Sequence, residues 1–522
     1  DHTVEILALP EPVDGLFVFV GHTPIIQTLG VAQPGEACDP GDEKRQPSRE
    51  ESDHPGTFHR STVEWHCRMA ENRPAPYDMS VVPSKREVPM GGFKSGLPDV
   101  QLNLNVRGMA VSATLAINER SAELARAGRP VYRFGLGQSP FPVPESVVEA
   151  LRANAFQKDY LPVRGLLELR ETVAEHHRRK FGIECSADDV MVGPGSKELM
   201  FLLQLVYYGD LVVPTPAWVS YAPQARIIGH HVRFLQTSAD DGWRLTPEQL
   251  AYLCEIDPGR PRIVVLNYPS NPTGGTYDVG ELEELAEVAN EYRVILLSDE
   301  IYGELHHEGA HRSIVPFYPQ GTIFSSGLSK WCGAGGWRLG VFVVPRSLRW
   351  LLDAMAAVAS ETFTSTSAPI QYAAISAFEG GDDIELYLNR CRRVLGALGR
   401  DVWSILRGAG VNVLAPEGGF YLFPDFSPHA RALAERGISN SVQLCERLLA
   451  ETGVAILPGV SFGRAEAELT ARLSYVDFDG GAALDALASD APDREVDDAF
   501  LRTFCGRTIE AAEVIASWLE SV

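Results

Sequence analysis

Two kinds of apolar pattern alternate along the chain from about residue 145. The segment PESVVEALRANAF places Val147, Val148, Leu151 and Ala155 on one helical face, and GLLELRETVAEHHRRKFG predicts a second amphipathic helix that ends at a glycine. Short apolar runs that predict strands are DVMVGP, DLVVP, HVRFL, RIVVLNYP, RVILLSDE, TIFSSG and VFVVP. Several of these runs are too uniformly apolar to be half-exposed. The alternation therefore predicts an α/β fold whose mostly parallel sheet is covered by helices on both faces.

The flanking segments have different patterns. Residues 1–100 are predicted to be a weakly ordered extension, because most of that stretch is crowded with proline, glycine and charge and lacks sustained periodicity. We interpret residues 101–145 as a segment that joins the small domain, residues 146–385 as the large domain and residues 386–522 as a smaller α+β domain. The last assignment rests on a long helical pattern, the glycine-rich turn PEGGFYLFP and an acidic helical tail.

One apolar stretch near the start, VDGLFVFVGHTPIIQTLG, resembles a short part of thioredoxin-reductase-like flavoproteins. It has neither the G-x-G-x-x-G loop of a dinucleotide site nor a redox C-x-x-C pair. We interpret this stretch as a remnant, a fusion scar or a mis-joined reading frame rather than as a working module.

The composition of the chain limits the kinds of molecule that the protein is expected to bind. The 522 residues carry a formal net charge of -23, which would repel the phosphates of nucleic acids and of anionic membranes. The eight cysteines are scattered without a C-x-x-C pair, as is typical of a reducing compartment, and no apolar run approaches the ~18 residues that cross a bilayer. We therefore expect a cytoplasmic protein that binds neither nucleic acid nor membrane and has no metal site.

The strongest chemical signal is the fourteen-residue segment GLSKWCGAGGWRLG, which contains Lys330 and Arg338. It matches the lysine signature of the class I aminotransferases at every constrained position, and the resemblance extends over roughly residues 105–480. It implies a pyridoxal 5'-phosphate (PLP) cofactor that Lys330 holds as a Schiff base and whose phosphate Arg338 grips. It also implies the PLP-dependent transferase fold of bacterial aspartate aminotransferase-like proteins, and a homodimer with shared active sites.

Two further segments resemble cofactor-binding motifs of the same family. In DEIY, which follows a buried strand, the resemblance implies that Asp299 pairs with the pyridine nitrogen of PLP and that Tyr302 contacts its phenolic oxygen. In NPTG, it implies that Asn271 donates to the same oxygen. An alternative for Asp299, taken alone, is an acid that caps a helix after the strand.

The family pattern also assigns residues to the phosphate and to the ring face. Gly195, Ser196 and Lys197 lie at a predicted helix start, where unpaired N–H groups and the helix dipole favour a phosphate. Trp218 matches the aromatic residue that stacks on the pyridine ring, and Tyr160 the tyrosine that reaches the phosphate of the neighbouring subunit. The alternatives are that Ser196 caps the helix and that Trp218 packs in the core.

Substrate recognition is assigned to a third group of residues. Arg472 resembles the arginine that holds the substrate α-carboxylate, assisted by Asn271 and by the backbone near Gly137. Lys197 matches a lysine with which one bacterial aspartate aminotransferase subgroup binds the second carboxylate of its substrate. The alternative for Lys197 is a solvated lysine in the first turn of a helix.

The resemblance implies a ping-pong transfer of an amino group from aspartate or glutamate to a 2-oxo acid. Lys330, Asp299 and Tyr302 are the predicted catalytic residues. Two alternatives stay open on the sequence. One is a PLP lyase of the same fold that performs β-elimination or decarboxylation, because fold does not fix reaction class. The other is a non-catalytic PLP-binding regulatory module.

Overall fold

The seven predicted strand segments pair into one sheet in the computed structural model, which describes residues 102–109, 111–489 and 494–521. The strands are β1 (Val190–Gly193), β2 (Asp210–Thr215), β3 (Val232–Gln236), β4 (Arg262–Asn267), β5 (Ile295–Asp299), β6 (Thr322–Gly327) and β7 (Gly340–Val343). Their order across the sheet is β1-β7-β6-β5-β4-β2-β3. Strands β2 to β6 pair in parallel, whereas β7 runs antiparallel to β1 and β6. The predicted α/β fold with a mostly parallel sheet is confirmed. The predictions for residues 1–100 lie outside the described residues.

Helices alternate with these strands along the chain. In the first half of the described chain they are α1 (Ala113–Arg126), α2 (Glu145–Asn154), α3 (Leu167–Phe181), α4 (Ser196–Val206), α5 (Tyr221–Ile228), α6 (Pro247–Glu255) and α7 (Val279–Glu291). They continue as α8 (Arg349–Glu361), α9 (Ala368–Glu379), α10 (Asp382–Gly408), α11 (Ala430–Glu435), α12 (Ser441–Thr452), α13 (Gly480–Ser489), α14 (Asp498–Phe504) and α15 (Gly506–Glu520). Local sequence sets several ends: capping boxes at Thr246 and Asp278 begin α6 and α7, and Gly182 ends α3 with a φ of 67°.

Helices cover both faces of the sheet, as the apolar runs predict. Successive residues of a strand point to opposite faces. In β4, Ile263 and Val265 pack in a core cluster with apolar residues of α4, α5 and α8, whereas Val264 and Leu266 pack in another with α6 and α7. The outer strand β3 is an exception, because its side chains are half-buried or exposed.

A smaller antiparallel sheet follows the large one in sequence. It contains β8 (Tyr421–Leu422), β9 (Leu457–Pro458) and β10 (Ala471–Ser474) in the order β8-β10-β9. The 27-residue helix α10 buries a continuous apolar stripe in the same core cluster as this sheet and α15. The boundaries proposed above for the large and small domains stay predictions. No helix among the described residues is long and apolar enough to span a membrane.

Candidate active site

The carboxyl ends of β4 and β5 border a pocket of about 560 Å³. It is lined by Ser196, Lys197, Trp218, Asn267, Asn271, Asp299, Ile301, Tyr302, Ser329, Lys330 and Arg338. Eight of these residues are ones that the sequence assigned to cofactor or substrate, and they come from five separate segments. This edge of a parallel sheet is where α/β proteins bind their ligands.

Lys330 lies in the turn after β6, with its amine inside the pocket. The Nζ atom donates a 2.6 Å hydrogen bond to the carbonyl oxygen of Gly137 and lies 5.5 Å from the centroid of the Tyr302 ring. Burial, and next the positive charge of Arg472, lower the pKa of Lys330 to about 7. Near neutral pH the amine is therefore partly uncharged, which is the form that acts as a nucleophile or base.

Asp299 is the last residue of β5 and is only 3% exposed. Its Oδ2 accepts a 2.5 Å hydrogen bond from the Tyr221 hydroxyl, and its Oδ1 has no hydrogen-bond partner within the described chain. Burial raises the pKa of Asp299 to about 6, and the hydrogen bond from Tyr221 is the largest influence that opposes this rise. The free Oδ1 leaves this carboxylate able to accept one more strong hydrogen bond.

Asn267, at the end of β4, connects Asp299 to the NPTG turn. Its Nδ2 donates to the Asp299 carbonyl oxygen at 2.8 Å, and its Oδ1 accepts from the Asn271 backbone N–H, also at 2.8 Å. Arg472 donates through Nη1 to Asn271 Oδ1 at 3.3 Å and through Nη2 to the carbonyl oxygen of Gly135. The predicted substrate arginine is thus buried directly beside the predicted cofactor asparagine.

The start of α4 lies against Arg338. Gly195 precedes the helix with a φ of 91°, and a Cβ atom at that position would lie 2.1 Å from Arg338 Nη2. The Arg338 guanidinium donates to the carbonyl oxygens of Gly335 and Pro194 at 3.0 and 3.2 Å. A guanidinium and the N-terminus of a helix that begins at Ser196 therefore meet at one end of the pocket, an arrangement that favours phosphate.

A second ammonium group, that of Lys197, faces the aromatic wall of the pocket. Its Nζ lies 5.0 Å from the centroid of the Trp218 ring, and Trp218 packs edge-to-face on Tyr221 with centroids 5.2 Å apart. Burial and the positive charge of Arg338 lower the pKa of Lys197. Among the described residues, no acidic side chain forms an ion pair with Lys197.

Tyr302 contacts a residue that the sequence analysis did not single out. Its hydroxyl lies 2.7 Å from that of Tyr421, and the ring of Tyr421 lies under Arg472 with 5.0 Å between the guanidinium carbon and the ring centroid. Tyr221 and Asn267 were also missed. The only signal available for Tyr221 was its position three residues after Trp218.

Gly137, Gly195 and Arg472 do not line the pocket, but each bonds to or adjoins a residue that does. Tyr160 does not line the pocket either, and its side chain is 89% exposed. The assigned role involves the phosphate of a neighbouring subunit, so this role stays a prediction.

The pocket fits PLP in three respects. Lys330 offers an amine with a lowered pKa for the aldehyde, and the unpartnered Oδ1 of the buried Asp299 offers an acceptor for a protonated ring nitrogen. Arg338 and the start of α4 offer a phosphate site. The fold and this set of groups define a PLP-dependent transferase.

Comparison with known proteins gives the same class. The model of the family described as aminotransferase class I and II matches residues 129–477. The asparagine–oxo-acid transaminase of Streptococcus mutans is 31% identical over 72% of this chain and 94% of its own length. The aspartate/prephenate aminotransferase of Thermus thermophilus is 34% identical over 69% of this chain and 91% of its own length.

Comparison with solved structures also indicates an aminotransferase. The aspartate aminotransferase from Thermus thermophilus with maleate has a TM-score of 0.68 at 30% identity, covering 80% of this chain and 99% of that one. An aminotransferase from Mycobacterium tuberculosis has a TM-score of 0.68 at 26% identity, covering 81% of this chain and 100% of that one. The chain belongs to the class I and II aminotransferases and is a PLP-dependent aminotransferase that acts on an amino acid and a 2-oxo acid. The lyase and regulatory-module alternatives are not favoured.

Proposed function

We propose that this aminotransferase takes the amino group of a dicarboxylic amino acid, aspartate or glutamate. The observation that carries the proposal is the Lys197 ammonium, which lines the pocket beside Trp218 and has no acidic partner among the residues described. A side-chain carboxylate would supply that partner. In support, the Thermus thermophilus relative is named as an aspartate/prephenate aminotransferase, and a similar solved structure from the same organism is named as an aspartate aminotransferase with maleate, a dicarboxylate.

The proton chemistry is assigned to Lys330 and Asp299. PLP, when bound, supplies a sink for the electrons released from the substrate Cα. We assign to the Lys330 amine the bond to the cofactor, the removal of the Cα proton from the donor amino acid and, in the second half-reaction, the delivery of a proton to Cα of the product amino acid. Its lowered pKa of about 7 keeps part of this amine uncharged near neutral pH. We assign to the ionised Asp299 carboxylate the retention of a proton on the ring nitrogen. Tyr302 and Asn271 are assigned to the phenolic oxygen.

Binding and orientation are assigned to the remaining residues. Ser196 and the backbone at Gly195 would hold the phosphate with Arg338, and the Trp218 ring would pack against the cofactor ring. Arg472 grips the substrate α-carboxylate, with the backbone near Gly137. A guanidinium that binds both carboxylate oxygens fixes the direction of the Cα–H bond, which is how positioning lowers the barrier.

We also propose that the working form is a homodimer with shared sites. Tyr160 is the residue that supports this assignment, because a tyrosine that is 89% exposed in one copy has surface available for a second copy. In the proposed dimer its hydroxyl reaches the cofactor phosphate of the other subunit. Loss of cofactor affinity in Tyr160→Phe, together with a dimeric mass in solution, is the expected outcome.

Substrate choice is tested with Lys197→Ala. If Lys197 binds the side-chain carboxylate, kcat/KM for aspartate falls by about 2 kcal/mol, or roughly 30-fold, while kcat/KM for alanine changes little. Lys180→Ala is the matched control, since Lys180 pairs with Glu385 and does not line the pocket. Equal losses for aspartate and alanine would contradict the assignment of Lys197, and an absence of transamination with any amino acid would contradict the wider proposal.

A further inference from the structure

Glu300 is a buried carboxylate directly after Asp299 to which the reaction described above gives no part. It is 2% exposed, and three hydroxyl groups surround its Oε1. These hydroxyls belong to Ser298 at 2.7 Å, Ser313 at 2.7 Å and Tyr268 at 3.2 Å. Each of these hydroxyls donates to the carboxylate oxygen, which accepts. A single carboxylate thus connects the end of β5, the exit of β4 and the loop that contains Ser313.

His311 completes the contacts of this carboxylate. Its Nε2 lies 2.6 Å from Glu300 Oε2, and the two side chains are 3% and 0% exposed. The same ring packs on the backbone just beyond Tyr302, because a Cβ atom on Gly303 would lie 2.8 Å from His311 Cδ2. Ser298, which donates to Glu300, precedes Asp299 in β5, so these two side chains point to opposite faces of the strand. The Glu300–His311 pair therefore contacts the Asp299–Tyr302 segment without lining the pocket.

The same contacts extend to the turn that carries Asn271. Tyr268, which donates to Glu300, follows Asn267 in the chain, and its oxygen also accepts the backbone N–H of Ile314 at 2.8 Å. Asn267 holds the Asp299 carbonyl oxygen and the Asn271 N–H. Movement of Glu300 would therefore displace both strand ends that border the pocket.

We propose that Glu300, held by His311, is a positioning residue for transamination, which fixes Asp299 and Asn271 in the geometry that the reaction needs. The inference rests on the roles proposed above for Asp299 and Asn271. Buried polar networks are costly when partly satisfied and rigid when fully satisfied. Both carboxylate oxygens of Glu300 have hydrogen-bond partners, whereas the Nδ1 of His311 has none among the described residues. Glu300 does not line the pocket.

A second buried pair in the same segment offers a matched control. Glu304 lies four residues further on, contacts His176 at 3.2 Å with exposures of 7% and 6%, and is bonded to Arg392 at 2.9 Å. It resembles Glu300 in burial and in having a histidine partner. Its side-chain contacts with His176 and Arg392, however, lead to α3 and α10 and to neither strand end at the pocket.

The test compares Glu300→Gln with Glu304→Gln as holoenzymes. Glutamine keeps the volume but replaces one of the two carboxylate oxygens with an NH2 group, so either His311 or the three hydroxyls lose an acceptor. We expect Glu300→Gln to lower kcat by about tenfold with KM for aspartate within about twofold, because the reacting groups are displaced while the substrate cations remain. The visible circular dichroism of the bound cofactor, which reports its orientation, should shrink. Glu304→Gln should leave kcat and the dichroism unchanged even where its thermal stability falls equally.

His311 provides a second measurement if Glu300→Gln does not fold. His311→Ala should lower kcat and the dichroism signal, and His311→Gln, which keeps an N–H donor near the position of Nε2, should restore most of both. Wild-type kcat and dichroism in His311→Ala would overturn the proposal, as would equal effects of Glu300→Gln and Glu304→Gln.

Asp299→Ala separates this inference from the function on which it rests. If Asp299→Ala abolishes transamination and Glu300→Gln matches wild type, the inference alone fails. If Asp299→Ala retains wild-type kcat, the assigned role of Asp299 fails, and the positioning role of Glu300 falls with it.

Discussion

Asp299 should destabilise the cofactor-free protein at neutral pH. The carboxyl is 3% exposed, its Oδ1 has no partner among the described residues, and burial raises its pKa from the ordinary 3.8 to about 6. Between these two pH values the folded state binds more protons than the unfolded state. The stabilising contribution of this group to the free energy of unfolding is therefore complete below about pH 3.8. It declines as the pH rises and is lost above about pH 6.

The size of this destabilisation follows from the difference between the two pKa values of Asp299. Each pH unit corresponds to about 1.36 kcal/mol, so the ionised carboxylate costs the folded apoprotein about 3 kcal/mol above pH 6. Asparagine at this position has nearly the same shape, has no charge to lose and keeps an oxygen for the Tyr221 hydroxyl. Asp299→Asn should therefore stabilise the apoprotein, and its advantage over wild type should grow by about 2 kcal/mol between pH 4.5 and pH 7.5.

The assay is urea unfolding of both apoproteins at the two pH values, with equal m-values as the condition for comparing free energies. The difference between variant and wild type cancels the titrating groups that do not interact with Asp299, whereas Lys330 interacts with it and is affected by the substitution. Saturating PLP supplies the control: wild type should gain more stability than Asp299→Asn, because only the carboxylate can pair with a protonated ring nitrogen. A difference between the two proteins that does not change with pH would refute the raised pKa and the reasoning built on it.

Two further predictions concern cofactor binding. Gly195→Ala should weaken PLP binding at least tenfold, because its Cβ would lie 2.1 Å from Arg338 Nη2 at a φ of 91°; Gly336→Ala, whose Cβ would meet no atom within 4 Å, should bind normally in the same titration. The rate at which apoprotein captures PLP should rise with pH to about 7 and then level, because only the uncharged Lys330 amine attacks. Removal of the nearby charge in Lys197→Ala should move that inflection to higher pH in stopped-flow absorbance, and an unchanged inflection would contradict the influence of Lys197.

The sheet was predictable because each strand is a short apolar run with a buried environment on both faces. Residues Ile263–Leu266 of β4 illustrate the reason, since alternate side chains enter two different core clusters. Strand β3 is the exception: it was predicted from the run HVRFL, but its side chains are half-buried or exposed, because an outer strand needs less apolar surface. The chain order gave no information on how the seven strands are arranged, which depends on contacts far apart in sequence.

The site was predictable where a motif ties chemistry to a fixed spacing, as at Lys330 and Arg338. Tyr221 and Tyr421 were missed because their contacts, with Asp299 and with Tyr302, join residues 78 and 119 positions apart. From the sequence alone, a tyrosine near a strand or turn is usually interpreted as a core residue. Only the fold reveals that one hydroxyl meets a carboxylate and the other meets a second phenol.

The electrostatics of the pocket explain why an acidic protein can recognise anions. The chain has a net charge of -23, yet Lys197, Lys330, Arg338 and Arg472 lie at or beside one pocket. Surface charges further than about 8 to 10 Å away are screened by physiological salt, whereas close and buried cations are not. The cations repel one another, which contributes to the lowered pKa of Lys330. On the proposed assignments, a bound phosphate and a bound carboxylate would relieve that repulsion, so the cations that repel one another would also supply the affinity for cofactor and substrate.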